Sequence, residues 1–417
     1  MKIKFITAFP VLILLLLFSC KKENDDNITP DPVDEIAKIY ENAGYGFLGR
    51  FETFLPDVPG SYYITPLDVR KVNNKLYASW QIEQSFYSSF HIYTGTLENK
   101  KFNKADYEAC GDPKTDSDFR RVLNHEFDGQ GNLFSTYRYR EITSLNPTWF
   151  HSFCCSSGLG SSDEFRDYQM DIVENNQIVT AVGAQSLYNG YELSFLKYYS
   201  YGYSGWQSTD ISGLKPKIQN YDYYVSENGN GYIAYTDAQF GDQVDGNMNL
   251  IGNNGAGWIN LGSIPLAQVR KLIVNYFEPY QIRIVRNGDK PFIILIRENN
   301  TIAVFQFDGA SLRFIADNVP YPYNPTTAFT ITTKTDMCVY RNKLTTIGYG
   351  NSTGTMDDPR SIYQLNGNSF SLLKTVDAGN ITLRGVYSDN TTLWAACEVF
   401  RANNGIFTSP VDIIEIN

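Results

Sequence analysis

Histidine and methionine are scarce, with three His and five Met in 417 residues. His91, His125 and His151 show no His-x-x-x-His spacing, so no histidine-built metal motif is expected. Cysteine is also sparse, at six residues, which excludes a small disulfide-stapled scaffold. Basic residues are outnumbered, 35 against 45 acidic, for a net charge of −10. A nucleic-acid partner would need a basic field, so that class is excluded as the main ligand. No apolar run is long enough to cross a bilayer. The longest, VLILLLLF at residues 11–18, reaches about 14 residues with the stretch before it, short of the ~20 needed.

What is plentiful is aromatic. Thirty Tyr and 26 Phe, in a chain with 15% aromatic and 42% apolar residues, favour strands over helices and supply a core. The length exceeds what one core usually serves, which predicts two domains or a repeat architecture.

Lys2 and Lys4 precede the short apolar run, the pattern of a secretory leader. Leu17-Phe18-Ser19-Cys20 then resembles the lipobox of bacterial lipoproteins. That resemblance implies a signal peptide over 1–19 and a lipidated Cys20 as first mature residue, with a membrane partner through the lipid. Phe at the second position is bulkier than the usual choice. The following KKENDDNITPDPVDE is polar and proline-bearing, so 20–43 reads as a flexible tether. Its Glu23, Asp25 and Asp26 resemble the export signal of lipoproteins displayed outside the outer membrane. The expected location is therefore the outer membrane, lipid-anchored and facing the exterior. Loss of Lys2 and Lys4 with the leader leaves 33 basic residues against 45 acidic, a net of −12.

Residues 44–417 repeat. Seven polar turns recur at roughly 50-residue intervals, anchored at Asn74, Gln130, Asn176, Gly229, Asp289, Asn342 and Asn390. Each lies between two strand-like stretches, and Asn and Gly suit the positive φ of tight hairpins. A second hairpin follows in several units, as in TIAVFQF-Asp308-Gly309-SLRFIAD. Four strands per unit at this period predict an all-β fold, a seven-bladed β-propeller of four-stranded antiparallel blades. The period is nearer to ~50-residue kelch units than to ~40–45-residue WD40 units. The second strands IVTAV and FIILI are apolar throughout, as strands covered on both faces should be. The seventh unit lacks a fourth strand before the chain ends, and residues 44–54 upstream are positioned to supply it and close the ring. Six or eight blades, or a two-domain sandwich, are the competing architectures. Residues 148–168 of the second unit are the least regular part.

The second hairpins end in Gly-x-Ser/Gly before a large apolar residue, at Leu312, Phe370 and Trp258. They resemble a reduced Asp-box, the hairpin of sialidase-like propellers. The defining Asp is absent, with Asn253 its nearest substitute, and the resemblance implies fold rather than activity.

Functional residues are expected in the long connections. Tyr87, Trp149, Tyr188, Phe240, Tyr321 and Tyr323, with Arg138 and Arg401, are the candidate ligand-binding residues. Aromatic faces stack on sugars while polar groups take the hydroxyls, so an extracellular glycan or protein is the expected partner, bound without catalysis. One acid–base neighbourhood stands out, His125 with Arg121 and Tyr137. There a cation could quiet a uronate carboxylate while His or Tyr moves protons, as in a polysaccharide lyase. A scaffold subunit of an outer-membrane complex is the third class. No cofactor is expected. Asp242 and Asp245 flank a glycine-bearing loop that could hold calcium, but their spacing is not that of an EF-hand. Cys110 could pair with Cys154 or Cys155, whereas Cys338 and Cys397 read as small buried hydrophobes.

Overall fold

The computed structural model describes residues 32–51, 62–84, 90–110, 120–127, 133–140, 167–174, 179–186, 193–202, 205–210, 220–226, 228–236, 247–253, 257–265, 281–296, 301–320, 334–348, 360–378, 381–399, 401–403, 406–408 and 411–417. Apart from one helix, α1 (Pro32–Asn42), and the short 3-10 turn η1 (Lys334–Asp336), the described elements are strands.

In chain order, β1 (Gly46–Phe51) stands apart from the first meander of β2 (Tyr62–Val72), β3 (Lys75–Gln84), β4 (Phe90–Glu98) and β5 (Lys101–Cys110). Next come β6 (Arg120–Phe127), β7 (Leu133–Arg140), β8 (Asp167–Glu174), β9 (Val179–Ser186), β10 (Leu193–Gly202) and β11 (Gly205–Asp210). Three complete four-stranded sheets follow. They are β12 (Asn220–Val225), β13 (Gly231–Thr236), β14 (Asn247–Asn253) and β15 (Trp258–Pro265); β16 (Gln281–Val285), β17 (Phe292–Ile296), β18 (Thr301–Phe307) and β19 (Leu312–Pro320); and β20 (Met337–Tyr340), β21 (Lys343–Gly348), β22 (Ser361–Asn366) and β23 (Ser369–Thr375). The last unit holds β24 (Ile381–Ser388), β25 (Leu393–Val399), a small hairpin of β26 (Arg401–Asn403) and β27 (Ile406–Thr408), and β28 (Val411–Ile416).

These sheets form a ring. The first strands of the units neighbour one another in sequence, with β2 beside β6, β8 beside β12, β12 beside β16, β16 beside β20, and β20 beside β24. β24 returns to β2. Each four-stranded sheet is an antiparallel meander of adjacent strands. The ring is closed as the sequence predicts. β1 pairs antiparallel with β28, Gly46 opposite Glu415 and Arg50 opposite Asp412, and so becomes the fourth strand of the last sheet. It also meets β5 in parallel at Arg50–Lys101 and Phe51–Phe102, joining the last and first units into one eight-stranded sheet.

Two features differ from the sequence reading. Pro32–Asn42, inside the stretch read as tether, is helical. Proline suits the first helical turn, Ala37 and Tyr40 three residues apart turn into the core, and Asp34 and Glu35 favour the helix N-terminus. Units two and three, expected as separate blades, share one six-stranded sheet in which β7 pairs with β8. Residues 141–166, between those strands, lie outside the described residues, and β8 satisfies the β7 edge.

The cores lie between sheets. FIILI of β17 is buried at every residue, as its unbroken apolar character requires. Between the last and first units, Phe51 stacks on Trp80 at 4.8 Å and meets Phe102 edge-on at 5.3 Å. Cys397 is fully buried and Cys338 half-buried, both as free thiols. Adjoining units approach closely at two glycines. A Cβ at Gly49 would lie 3.0 Å from the Lys100 backbone, and one at Gly262 would lie 3.1 Å from the Leu312 nitrogen and 2.4 Å from its Cβ.

Candidate functional site

The two ends of the ring are unlike. At one end lie the tight hairpins, where Asn73, Asn74, Asn342, Asn390, Gly229 and Gly288 have positive φ. These turns also hold neighbouring units together. Asp289 accepts hydrogen bonds from Ser226 Oγ at 2.6 Å, Asn228 Nδ2 at 2.5 Å, Asn230 Nδ2 at 3.0 Å and Tyr232 OH at 3.1 Å, all from the preceding unit. Asn342 and Asn390 exchange hydrogen bonds across the next interface but one. The Asn342 N–H reaches Asn390 Oδ1 at 2.6 Å, and Asn390 Nδ2 reaches Asn342 Oδ1 at 3.0 Å. The repeated turn residues are thus lateral clasps as well as conformational necessities.

Partial burial pushes the Asp289 carboxyl up, but the hydrogen bonds from Ser226, Asn228, Asn230 and Tyr232 outweigh it and hold the group below the usual carboxylate range. A carboxylate so lowered contributes stability above its unfolded pKa of about 3.9, and loses it as pH falls through the folded value. Asp289→Asn is therefore expected to cost about 1–3 kcal/mol at pH 7 and to flatten the decline of stability below pH ~4. Urea denaturation across that pH range measures both; a parallel acid limb in wild type and variant would contradict the clasp.

Near the axis, charged side chains stand on the first strands or directly beside them. Arg286 donates to Asp68 at 3.1 Å, linking units that are not neighbours in the ring. Arg283 pairs with Asp336 at 2.5 Å in the next unit, and both are buried. Asp222, fully buried, accepts the N–H of Ile284 at 2.6 Å and that of Tyr223 at 3.0 Å. Thr335, Tyr387 and Cys338 complete the group. Burial, then Asp68 and Cys338, push the Tyr387 proton loss far up, so its hydroxyl stays neutral. Burial likewise raises the Cys338 thiol against the opposing effect of Arg286, so Cys338 is no thiolate nucleophile. Gly385 makes room for this hydroxyl, since a Cβ there would lie 2.6 Å from it. Each axial carboxylate has a cation or backbone donor, which makes this cluster a strut across the ring. Among the described residues no group of three or more His, Cys, Asp and Glu gathers to hold a metal.

Of these axial residues the sequence points only to Cys338, as a small hydrophobe. The signal is a charge set among apolar and aromatic neighbours, as with Asp222 in NYDYYV and Arg283 in QIRIV.

Of the residues that were singled out, Arg121 and His125 lie on β6, and Tyr137 and Arg138 on β7. The structure brings these four to one ladder, with Arg121 opposite Arg138, Val122 opposite Tyr137 and His125 opposite Ser135. On the other side Arg138 faces Asp171. Arg401 opens β26 opposite Thr408, in the connection between β25 and β28. Cys110 ends β5 opposite Phe90. Cys20, Tyr87, Trp149, Cys154, Tyr188, Phe240, Asp242, Asp245, Tyr321 and Tyr323 lie outside the described residues.

No protein-family model matches the chain, and no curated protein matches it. Solved structures with a similar arrangement include a sialidase from Trypanosoma rangeli in complex with the inhibitor DANA, at TM-score 0.43 and 13% identity, covering 90% of this chain and 59% of that one. The chain thus spans less than two thirds of the sialidase. Others are the β-propeller domain of the Trilobed protease from Pyrococcus furiosus, at TM-score 0.40 and 7% identity over 84% and 93% of the two chains, and a protein of unknown function from Dyadobacter fermentans, at TM-score 0.40 and 9% identity over 86% and 100%.

Proposed function

We propose that this chain is a lipid-anchored protein of the outer membrane, displayed at the cell surface, whose seven-unit ring binds an extracellular glycan or protein at one end without catalysing a reaction. The observation that carries the reading is the inequality of the two ends. Short hairpins clasped by Asp289 and by Asn342–Asn390 occupy one end. The longer connections leave and re-enter the sheets at the other. The segments bearing Tyr87, Tyr188 and Phe240 join second strands to third strands, and those bearing Trp149, Tyr321 and Tyr323 join one unit to the next. In an antiparallel meander both kinds of connection belong to the end opposite the first hairpin turn. Aromatic residues in connections that depart from one end of a ring suit stacking on pyranose faces or packing against a protein partner. The axial charges favour the same reading, because among the described residues they are taken up by one another or by backbone donors and show no nucleophile–base pair.

Two measurements test it. Cys20→Ser should move the protein from the membrane fraction to the soluble fraction, and the wild-type mass should exceed that of the bare chain by the acyl groups. Migration in glycan-loaded gels should be retarded, and Tyr321→Ala with Tyr323→Ala should weaken retardation about tenfold or more, as loss of two stacking contacts implies. Unchanged mobility on every glycan, with co-purification of a stable membrane complex, would favour the scaffold role instead.

A further inference from the structure

The large apolar side chains that stand exposed among the described residues fall in one zone. They are Ile259 on β15, Phe314 and Ile315 on β19, Leu372 and Leu373 on β23, and Ile39 on α1. Ile259 and Leu372 are more than half exposed, at 54% and 57%. Apart from Ile39 on the helix, all sit on the outermost strand of their sheet, in three consecutive units.

The zone is continuous. β15 abuts β19 where Gly262 meets Leu312, and β19 in turn neighbours β23. β23 is tied to the end of α1 by Tyr45, whose hydroxyl donates to the Thr375 carbonyl at 2.8 Å while Lys374 stands 5.4 Å over its ring. The aliphatic rim therefore runs along the outside of the ring and ends at the helix. Charges of both signs border it: Lys374, Arg313, whose side chain is 66% exposed although paired with Asp308, and on α1 the exposed Lys38 with Glu35 and Glu41. Isolated exposed Leu or Ile needs no explanation, but aliphatic side chains exposed on adjoining outer strands, with Lys374 and Arg313 beside them, match the make-up of a surface that lies on a bilayer.

The chain beyond the helix indicates which surface covers it. Only residues 21–31 separate Cys20 from Pro32. Fully extended, they hold the helix within about 40 Å of the anchor. A short leash raises the effective concentration of the nearest face at the bilayer far more than that of the ring's remote side.

Resting on the lipid-anchor reading above, we propose that the outer rim formed by β15, β19, β23 and α1 docks side-on against the phospholipid surface. Leu372, Leu373, Phe314 and Ile315 would then sit at the headgroup–acyl boundary. The ring axis would run roughly along the membrane plane, leaving the loop end open laterally to a ligand.

The test uses the full lipidated protein in phosphatidylethanolamine–phosphatidylglycerol vesicles containing a photoactivatable acyl-chain lipid, with cross-linked peptides mapped by mass spectrometry. Cross-links are expected in peptides spanning 36–40, 312–316 and 369–375. Leu372→Glu with Leu373→Glu should reduce those at 369–375 about fivefold or more, with the acyl mass on Cys20 unchanged. Cross-links confined to the Cys20 peptide, or spread evenly over the ring, would overturn the docking while leaving the anchor standing. Absence of the acyl mass would overturn the anchor itself, and the docking premise with it. A concentration-dependent dimer that the same double variant dissociates would assign the rim to a second copy instead. Retention of the wild-type unfolding temperature by the double variant shows that lost labelling reports the surface and not misfolding.

Discussion

Arg50→Met is expected to lower the free energy of unfolding by about 3–5 kcal/mol, the cost of stripping a buried charge of its partner. Arg50 meets Asp412 through two hydrogen bonds, Nε at 2.6 Å and the second from NH2 at 3.0 Å, and Asp412 is completely buried. After substitution the carboxylate loses both guanidinium donors, while the Tyr40 hydroxyl still donates to it at 3.4 Å. Burial, with Cys397 and Asp412, already raises the Tyr40 pKa far above the usual tyrosine range, so that hydroxyl cannot ionise to relieve anything. Removing both charges in Arg50→Met/Asp412→Leu should restore most of the loss, because an apolar pair of similar volume is often no worse than a buried ion pair. Urea denaturation of the two single variants and the double variant closes the cycle. A loss under 1 kcal/mol in Arg50→Met would mean that β1 is not locked to β28 in solution.

Phe51→Ala should cost a similar amount, about 3–5 kcal/mol, for a different reason. Phe51 ends β1 and is 1% exposed, with its ring lying almost parallel to Trp80 of the first unit. Truncation removes buried apolar area and opens a cavity between units that are joined only because the ring is shut. Trp80 should report the change through a red-shifted emission, which Arg50→Met need not cause. The two substitutions therefore separate the hydrogen-bonded register of the closing strand from its packing against the next unit.

Much of the fold was legible because it rests on local signals. Seven polar turns at a steady interval, strands apolar on both faces, and a last unit one strand short each follow from nearest-neighbour chemistry. The pairing of residues 46–50 with 412–415 could be read because a missing strand demands a partner. Helix α1 was missed since its polar composition looks like linker, and its helicity depends on Ala37 and Tyr40 docking on a sheet formed by residues far along the chain. The merging of units two and three was illegible for a related reason. β7 has two available neighbours, and its choice of β8 depends on three-dimensional context.

The site was less legible than the fold. Asp68 and Arg286 lie 218 residues apart, and no periodicity announces that they meet. The clasp residues were noticed, but for their backbone conformation alone. Asn342 and Asn390 supply positive φ and also hydrogen-bond to each other, a second duty that depends on the packing of two separate units.

The closing pair has a consequence for how the molecule is made. Arg50 and Asp412 are separated by 362 positions, so β1 waits for β28. Intermediate sheets can collapse one after another as they emerge, since each is a local meander. The final seam cannot be sewn until residues 411–416 have emerged, and until then the free edge of β1 is bare and prone to wrong pairing. Maturation should accordingly show a late, slow phase reported by Trp80 quenching, following an earlier gain of β-structure.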